Sequence, residues 1–228
     1  MTRFVSIAAA TLMALTIPAA AQSDIDPDII DAQTGIWLVA PIDGATGCRL
    51  TFTKDQTIGG YSVTGAENCA TVLPILSETY AWTFNGGGME LVDATRKVLA
   101  RFEESEGSPW HTVDGRALAL VTPPGAIDHL PTQKTLAGDW ILRRPDGELL
   151  CRIKLSPSSD NTENGRMSPA GDCAAAVKKL RLEYWQVDTL DVMLMSDDGA
   201  SLTFTIRADG NFEKIREEGG KPLLMLRP

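Results

Sequence analysis

The sequence predicts an all-β protein made of two small antiparallel β-barrels in tandem. Three observations carry that prediction. A Trp-to-Cys-Arg spacing occurs twice: Trp37 stands eleven residues before Cys48 and Arg49, and Trp140 stands eleven before Cys151 and Arg152. Short alternating apolar stretches, split by turn residues, recur through both halves. The four cysteines fall as one pair per half, Cys48 with Cys69 and Cys151 with Cys173.

The repeat extends beyond that spacing. Gly35, Trp37, Cys48, Cys69, Trp82 and Phe102 correspond to Gly138, Trp140, Cys151, Cys173, Trp185 and Phe204. Asp93 in LVDATRK aligns with Asp197 in LMSDDG, and GRALALV (115–121) aligns with GKPLLMLR (220–227). Every matched pair lies 102 to 105 positions apart. So many uncommon residues, in one order with slips of one or two positions, define a duplicated domain. The predicted units are a first barrel at 35–122, a Pro-rich linker at 123–134 and a second barrel at 135–228. An extended arm at 22–34 precedes the first barrel.

The N-terminus reads as an export signal. Arg3 supplies a basic start, FVSIAAATLMALTI an apolar run, Pro18 a break, and Ala19–Ala21 the small residues of a cleavage site after Ala21. The run of about 14 residues is short of the roughly 20 that span a bilayer. No cysteine follows it to carry a lipid. The expected location is the periplasm or the medium. In that setting four cysteines read as disulfides, and the repeat selects Cys48–Cys69 and Cys151–Cys173 from the three possible pairings.

Strands in the second half are expected at 139–144, 148–155, 181–187, 190–195, 201–207, 211–216 and 222–227. PDG (145–147), DDG (197–199) and ADG (208–210) turn the chain between them. CAAAVKKL (173–180) reads as a helix of about two turns. The first half follows the same plan with GIWLVA, CRLTFT, AWTFNG, MELVDA, VLARFE and ALALV. Seven or eight strands in so short a chain favour closure, which removes exposed edges. Trp37, Trp82, Trp140 and Trp185 are the expected barrel-core markers.

The catalytic inventory is thin. His111 and His129 have no metal-ligand spacing, and no GxSxG elbow or Walker lysine is present. GGG (86–88) reads as a hairpin turn, and the acidic runs EESEG (103–107) and SDD (196–198) as solvated turns. The formal net charge of −9 argues against nucleic acid and anionic lipid as partners. No catalytic, metal or cofactor residue is assigned, and the pattern points to a binding protein rather than an enzyme.

The second half resembles a known family. LAGDWIL, CRIKL, CAAAVKKLRLEYWQVDTLDVMLMSDDGASLTF and GKPLLMLR are similar to the Inh-type bacterial metalloprotease inhibitors. That family includes inhibitors of serralysin-type zinc proteases and related outer-membrane lipoproteins. The first half keeps the framework, with QTGIWLVA for LAGDWIL and TRK in place of the turn glycine. The resemblance implies an eight-stranded up-and-down barrel with one disulfide per domain. It also implies a mechanism in which the barrel is a platform and the segment before it enters a protease cleft, its terminal amine approaching the zinc. An unperturbed terminal amine has a pKa of about 7.7–8, so a neutral donor is available near neutral pH. Here that protease-binding arm would be Gln22, Ser23, Asp24, Ile25 and Asp26. The implied partner is an extracellular or periplasmic zinc metalloprotease. Two rival readings are a cell-envelope interaction protein that kept the barrel without inhibition, and a lipocalin-like carrier with a ligand inside a barrel.

Overall fold

The computed structural model describes residues 25–104, 109–159 and 163–228. The expected signal peptide and the arm residues Gln22, Ser23 and Asp24 lie outside them. A short helix, α1 (Pro27–Gln33), leads into β1 (Gly35–Pro41), β2 (Cys48–Thr57), β3 (Gly60–Thr64) and β4 (Ala81–Asn85). The first unit continues through β5 (Gly88–Val92), β6 (Val98–Glu103), β7 (Trp110–Thr112) and β8 (Leu118–Val121). Each strand pairs antiparallel with the next, and β8 returns to β1 with Leu38 opposite Val121, closing the barrel.

The second unit repeats the plan. Helix α2 (Gln133–Leu136) precedes β9 (Gly138–Arg143), β10 (Leu149–Ser156) and β11 (Gly165–Pro169). Helix α3 (Ala175–Lys178) then precedes β12 (Tyr184–Asp188), β13 (Asp191–Met195), β14 (Ser201–Ile206), β15 (Phe212–Lys214) and β16 (Leu224–Leu226). Strand β16 pairs with β9, so this barrel is closed too. The all-β tandem architecture and both disulfides, Cys48–Cys69 and Cys151–Cys173, are present. Each bridge ties the start of the second strand of its barrel to the long crossing loop that follows the third.

Side chains fill both interiors. Trp82, Phe52, Phe102 and Met89 are fully buried in the first barrel, and Trp185, Phe204, Phe212 and Met225 in the second. Trp37 and Trp140 sit in the same two cores at 8% and 1% exposure. Eight strands enclose a space that such side chains fill.

Three strands differ from the sequence expectation by existing at all: β3, β7 and β11. GYSVT and GRMSP open on glycine, and the latter ends on proline, while WHT is too short to alternate. Neighbouring ladders impose their conformation. The two glycines have a packing reason. A side chain at Gly60 would collide with the Trp82 carbonyl, and one at Gly165 with the Trp185 indole. The helix expected over 173–180 spans only Ala175–Lys178, because Cys173 is tethered to Cys151 and Arg181 adopts a left-handed φ of 51°.

The segment expected to be an extended arm is helical over Pro27–Gln33. The physical cause is local. The Asp28 backbone N–H donates to the Asp26 carboxylate at 3.0 Å, and Pro27 takes a first-turn position where its missing N–H costs nothing. Helix α2 starts with a capping box between Thr132 and Thr135, which takes Gln133 and Lys134 out of the expected linker.

The GGG hairpin is as read from sequence. Asn85 pairs with Gly88, and Gly86 and Gly87 have φ of 56° and 85°, the sign a two-residue β-hairpin favours. The Asp93 turn is registered one residue differently from the sequence alignment. The Asp93 N–H bonds the Lys97 carbonyl as the Ser196 N–H bonds that of Ala200, so Asp93 stands where Ser196 stands in the second barrel. Arg96, at φ 69°, then occupies the place of Gly199, at φ 88°.

Two stability predictions follow from these features. Replacing Arg96 by Gly relieves a left-handed non-glycine residue and is expected to stabilise by about 1 kcal/mol. Replacing Cys48 and Cys69 together by Ala opens a loop of 21 residues and is expected to cost about 3 kcal/mol. Urea unfolding of the oxidised protein reads both. An unchanged midpoint in either variant contradicts the account of that turn or bridge.

Candidate functional site

The end of the first barrel that carries α1 is built around one indole. The Trp37 Nε1–H donates to the Gln33 carbonyl at 2.7 Å, fixing the C-terminus of α1 over the barrel. Ile30, one turn before Gln33, is 8% exposed and joins the barrel core. The Thr34 hydroxyl donates back to the Ile30 carbonyl at 3.0 Å. Helix α1 is therefore a plug seated in the barrel mouth. Ile25 also packs against that core, and Asp26 is committed to capping α1. Of the five arm residues read from sequence, Ile25 packs on the barrel core, Asp26 is exposed at the start of α1, and Gln22, Ser23 and Asp24 lie outside the described residues.

The surroundings of this end are mixed. Ile29 on α1, Ile36 on β1 and Ile58 in the β2–β3 turn are 47%, 55% and 58% exposed. The strand register places all three at the α1 end, since Gly35 opposes Phe52 and β2 runs on past it to Thr57. Asp28 and Asp31 add negative charge, with Lys54 3.4 Å from Asp31.

The equivalent end of the second barrel has the same wiring and different surroundings. The Trp140 Nε1–H donates to the Leu136 carbonyl at 2.8 Å. Arg227 lies 4.1 Å over the Trp140 ring and donates to the Ala137 and Thr135 carbonyls at 3.1 and 2.7 Å, satisfying groups at the end of α2. This end faces the flank of the first barrel. A cleft of about 420 Å³ between them is lined by Trp37, Trp110 and Thr122 on one side and Asp188, Leu190 and Asp191 on the other. Burial pushes the Asp191 carboxyl above the ordinary range, the Thr205 hydroxyl opposes this, and Asp188 adds to it. A larger groove of about 780 Å³ alongside it is lined by residues of both barrels and the linker. Both spaces lie outside the barrel interiors, which the tryptophans and phenylalanines occupy.

Neither histidine meets a metal-like set of partners. The His111 ring faces the Pro109 carbonyl at 3.2 Å, and the His129 ring faces Asp128 at 2.8 Å. Among the described residues no three His, Cys, Asp or Glu side chains converge as metal ligands, and no helix is long and apolar enough to cross a membrane. The turn carboxylates serve structure. Asp93 is held below the usual carboxylate range, first by the Thr95 hydroxyl and then by the Lys97 backbone N–H.

Comparison with known families finds a match in each half. A family model described as protease inhibitor Inh matches residues 30–121 and again residues 130–227. The two matches begin within α1 and just before α2, and each runs through a complete barrel. No curated protein matches the chain.

Two outcomes are expected at these carboxylates. Asp26→Ala removes the cap of α1, costs about 1 kcal/mol locally and speeds hydrogen exchange at Ile29 and Ile30. Unchanged exchange there contradicts the capping role. The lowered pKa of Asp93 means its stabilisation is fully present above its unfolded value of about 3.9 and is lost as pH falls through the native value. Asp93→Asn should thus melt below wild type at pH 7, with the gap closing in strong acid. A gap that persists in acid assigns the loss to something other than the carboxylate charge.

Proposed function

The chain belongs to the protease inhibitor Inh family in two tandem copies, and we propose that it is an exported inhibitor of zinc metalloproteases whose N-terminal arm blocks the protease cleft. The observation that carries this reading is the family match over both barrels. It makes a protease the partner and a binding protein, rather than an enzyme, the natural role. The periplasm or the medium is the compartment in this reading, in keeping with the export signal and the two bridges.

The geometry supports a division of labour. Helix α1 is seated in the barrel, so residues from Ile25 onward act as a fixed base and Gln22–Asp24 are the reach of the arm. The exposed Ile29, Ile36 and Ile58 surround that base with apolar surface for a partner. The aspartates of the segment, Asp24, Asp26, Asp28 and Asp31, suit a protease whose cleft approach is cationic, and association should weaken as salt rises. The terminal amine of Gln22, when neutral, is the donor aimed at zinc, so block of that amine should weaken inhibition.

The test is a titration of oxidised protein, Gln22–Pro228, into a serralysin-type zinc protease, read by peptide hydrolysis. A second sample lacks only Gln22–Asp24, which leaves the cap and α1 intact. Stoichiometric inhibition is expected from the first. The truncation is expected to raise the inhibition constant roughly a hundredfold or more, about 3 kcal/mol. Full inhibition by the truncated chain contradicts the arm mechanism. Inactivity of both samples excludes this protease class and moves the cell-envelope interaction reading to first place.

A further inference from the structure

The first barrel is buried on its outside as well as its inside along one seam. In β1 the inward Trp37 and Val39 belong to the interior core, while Leu38 and Ala40 face outward and are fully buried. In β8 the inward Leu118 and Leu120 alternate with outward Ala119 and Val121, at 2% and 5% exposure. The corresponding strands of the second barrel alternate between buried and part-exposed positions, as strands with one solvated face do. What covers the outer seam is the linker. Leu130, 4% exposed, packs on Leu38, Ala40, Ala119 and Val121, and Leu190 of the second barrel closes over the same cluster.

The linker is also hydrogen-bonded down. The Gly47 N–H donates to the Asp128 carbonyl at 2.7 Å, and the Arg49 guanidinium donates to the Ile127 carbonyl at 2.7 Å. A side chain at Gly47 would strike the Val39 carbonyl and Ala40 of β1, so glycine there lets the chain lie close on β1 while its N–H points to the linker. A side chain at Gly125 would strike Ala208 of the second barrel, and one at Gly44 would strike Thr132. The linker is thus held against the first barrel at 127–130 and touches the second at Gly125.

By its place before α2 and Trp140, this linker is the second copy of the segment that precedes α1 and Trp37. We infer that the second barrel's arm has become a strap on the first barrel, so the chain has one usable arm and takes one protease. This inference rests on the proposed inhibitory function for its protease half. The strap itself does not depend on it. The second barrel has no chain terminus at its α2 end, its preceding segment is pinned at both Ile127 and Asp128, and that end abuts the flank of its neighbour. The Arg of the duplicated Cys-Arg pair shows the same divergence: Arg49 grips the linker, while Arg152 is exposed.

Two measurements on the full chain, Gln22–Pro228, test the inference separately from the function. The first is hydrogen exchange at the Gly47 amide, whose acceptor is the Asp128 carbonyl of the linker. Exchange at least about a hundredfold slower than in an unstructured chain is expected in wild type. Leu130→Asp should return it toward the unstructured rate while the Leu194 amide, in the second barrel, keeps its protection. Free exchange at Gly47 in wild type overturns the strap whether or not any protease is inhibited. The second is native mass spectrometry with excess serralysin-type protease that the chain has been found to inhibit. One protease per chain is expected, bound at least about a hundredfold more weakly by the chain lacking Gln22–Asp24. Two proteases per chain, or an affinity that the truncation leaves unchanged, overturns the single-arm inference and leaves the inhibitory function standing.

Discussion

Four indole N–H groups set the geometry on which both barrels depend. In each unit one tryptophan donates four residues back to the carbonyl at the end of a short helix, Trp37 to Gln33 and Trp140 to Leu136. The other donates 29 residues back across the barrel, Trp82 to Thr53 and Trp185 to Ser156, each at 2.9 Å. A buried indole N–H without an acceptor is costly, so these bonds limit where each ring can sit. The first pair seats a helical plug, and the second ties the end of the second strand to the fourth. Glycine at 60 and 165 is the complement of that second tie, because it lets the adjacent strand approach the tryptophan. The disulfides act at the opposite end of each barrel, holding the one long crossing loop.

With the interiors so alike, the difference between the copies lies on their outsides. The first barrel has an apolar outer seam on β1 and β8, a linker laid over it and an arginine that holds the linker. The second has an ordinary solvated exterior and an Arg227 that closes its own mouth. Duplication supplied two equal platforms, and packing one against the other made them unequal. The segment preceding the first barrel ends in a capped helix with chain still ahead of it, whereas the segment preceding the second is enclosed by neighbours.

Much of this was legible in the sequence, and the residues explain which parts. Tryptophan, cysteine and glycine mark positions where size, a covalent bond or a missing side chain decides the structure, so their spacing carried the duplication, the pairing and the closure. Strands β3, β7 and β11 were not legible, because their alternation is weak and their neighbours define them. The apolar runs WLVA and LALV signalled burial on both faces, and they read as ordinary strands only because the linker that covers them has no regular pattern. Helix α1 had a legible start in Asp26 and Pro27. Reading the whole of 22–34 as an extended arm missed it.

The closed topology bears on survival beside a protease. Proteolytic clefts take substrate as an extended strand, often by pairing with its backbone. A closed barrel has no unpaired strand edge to lend. The docked linker ties up part of its own backbone in hydrogen bonds to the first barrel. A molecule of this shape offers a digestive enzyme no free strand edge along its two described barrels. What separates a binder of proteases from their substrate is then how much strand edge the fold leaves unpaired, and both closed barrels leave none.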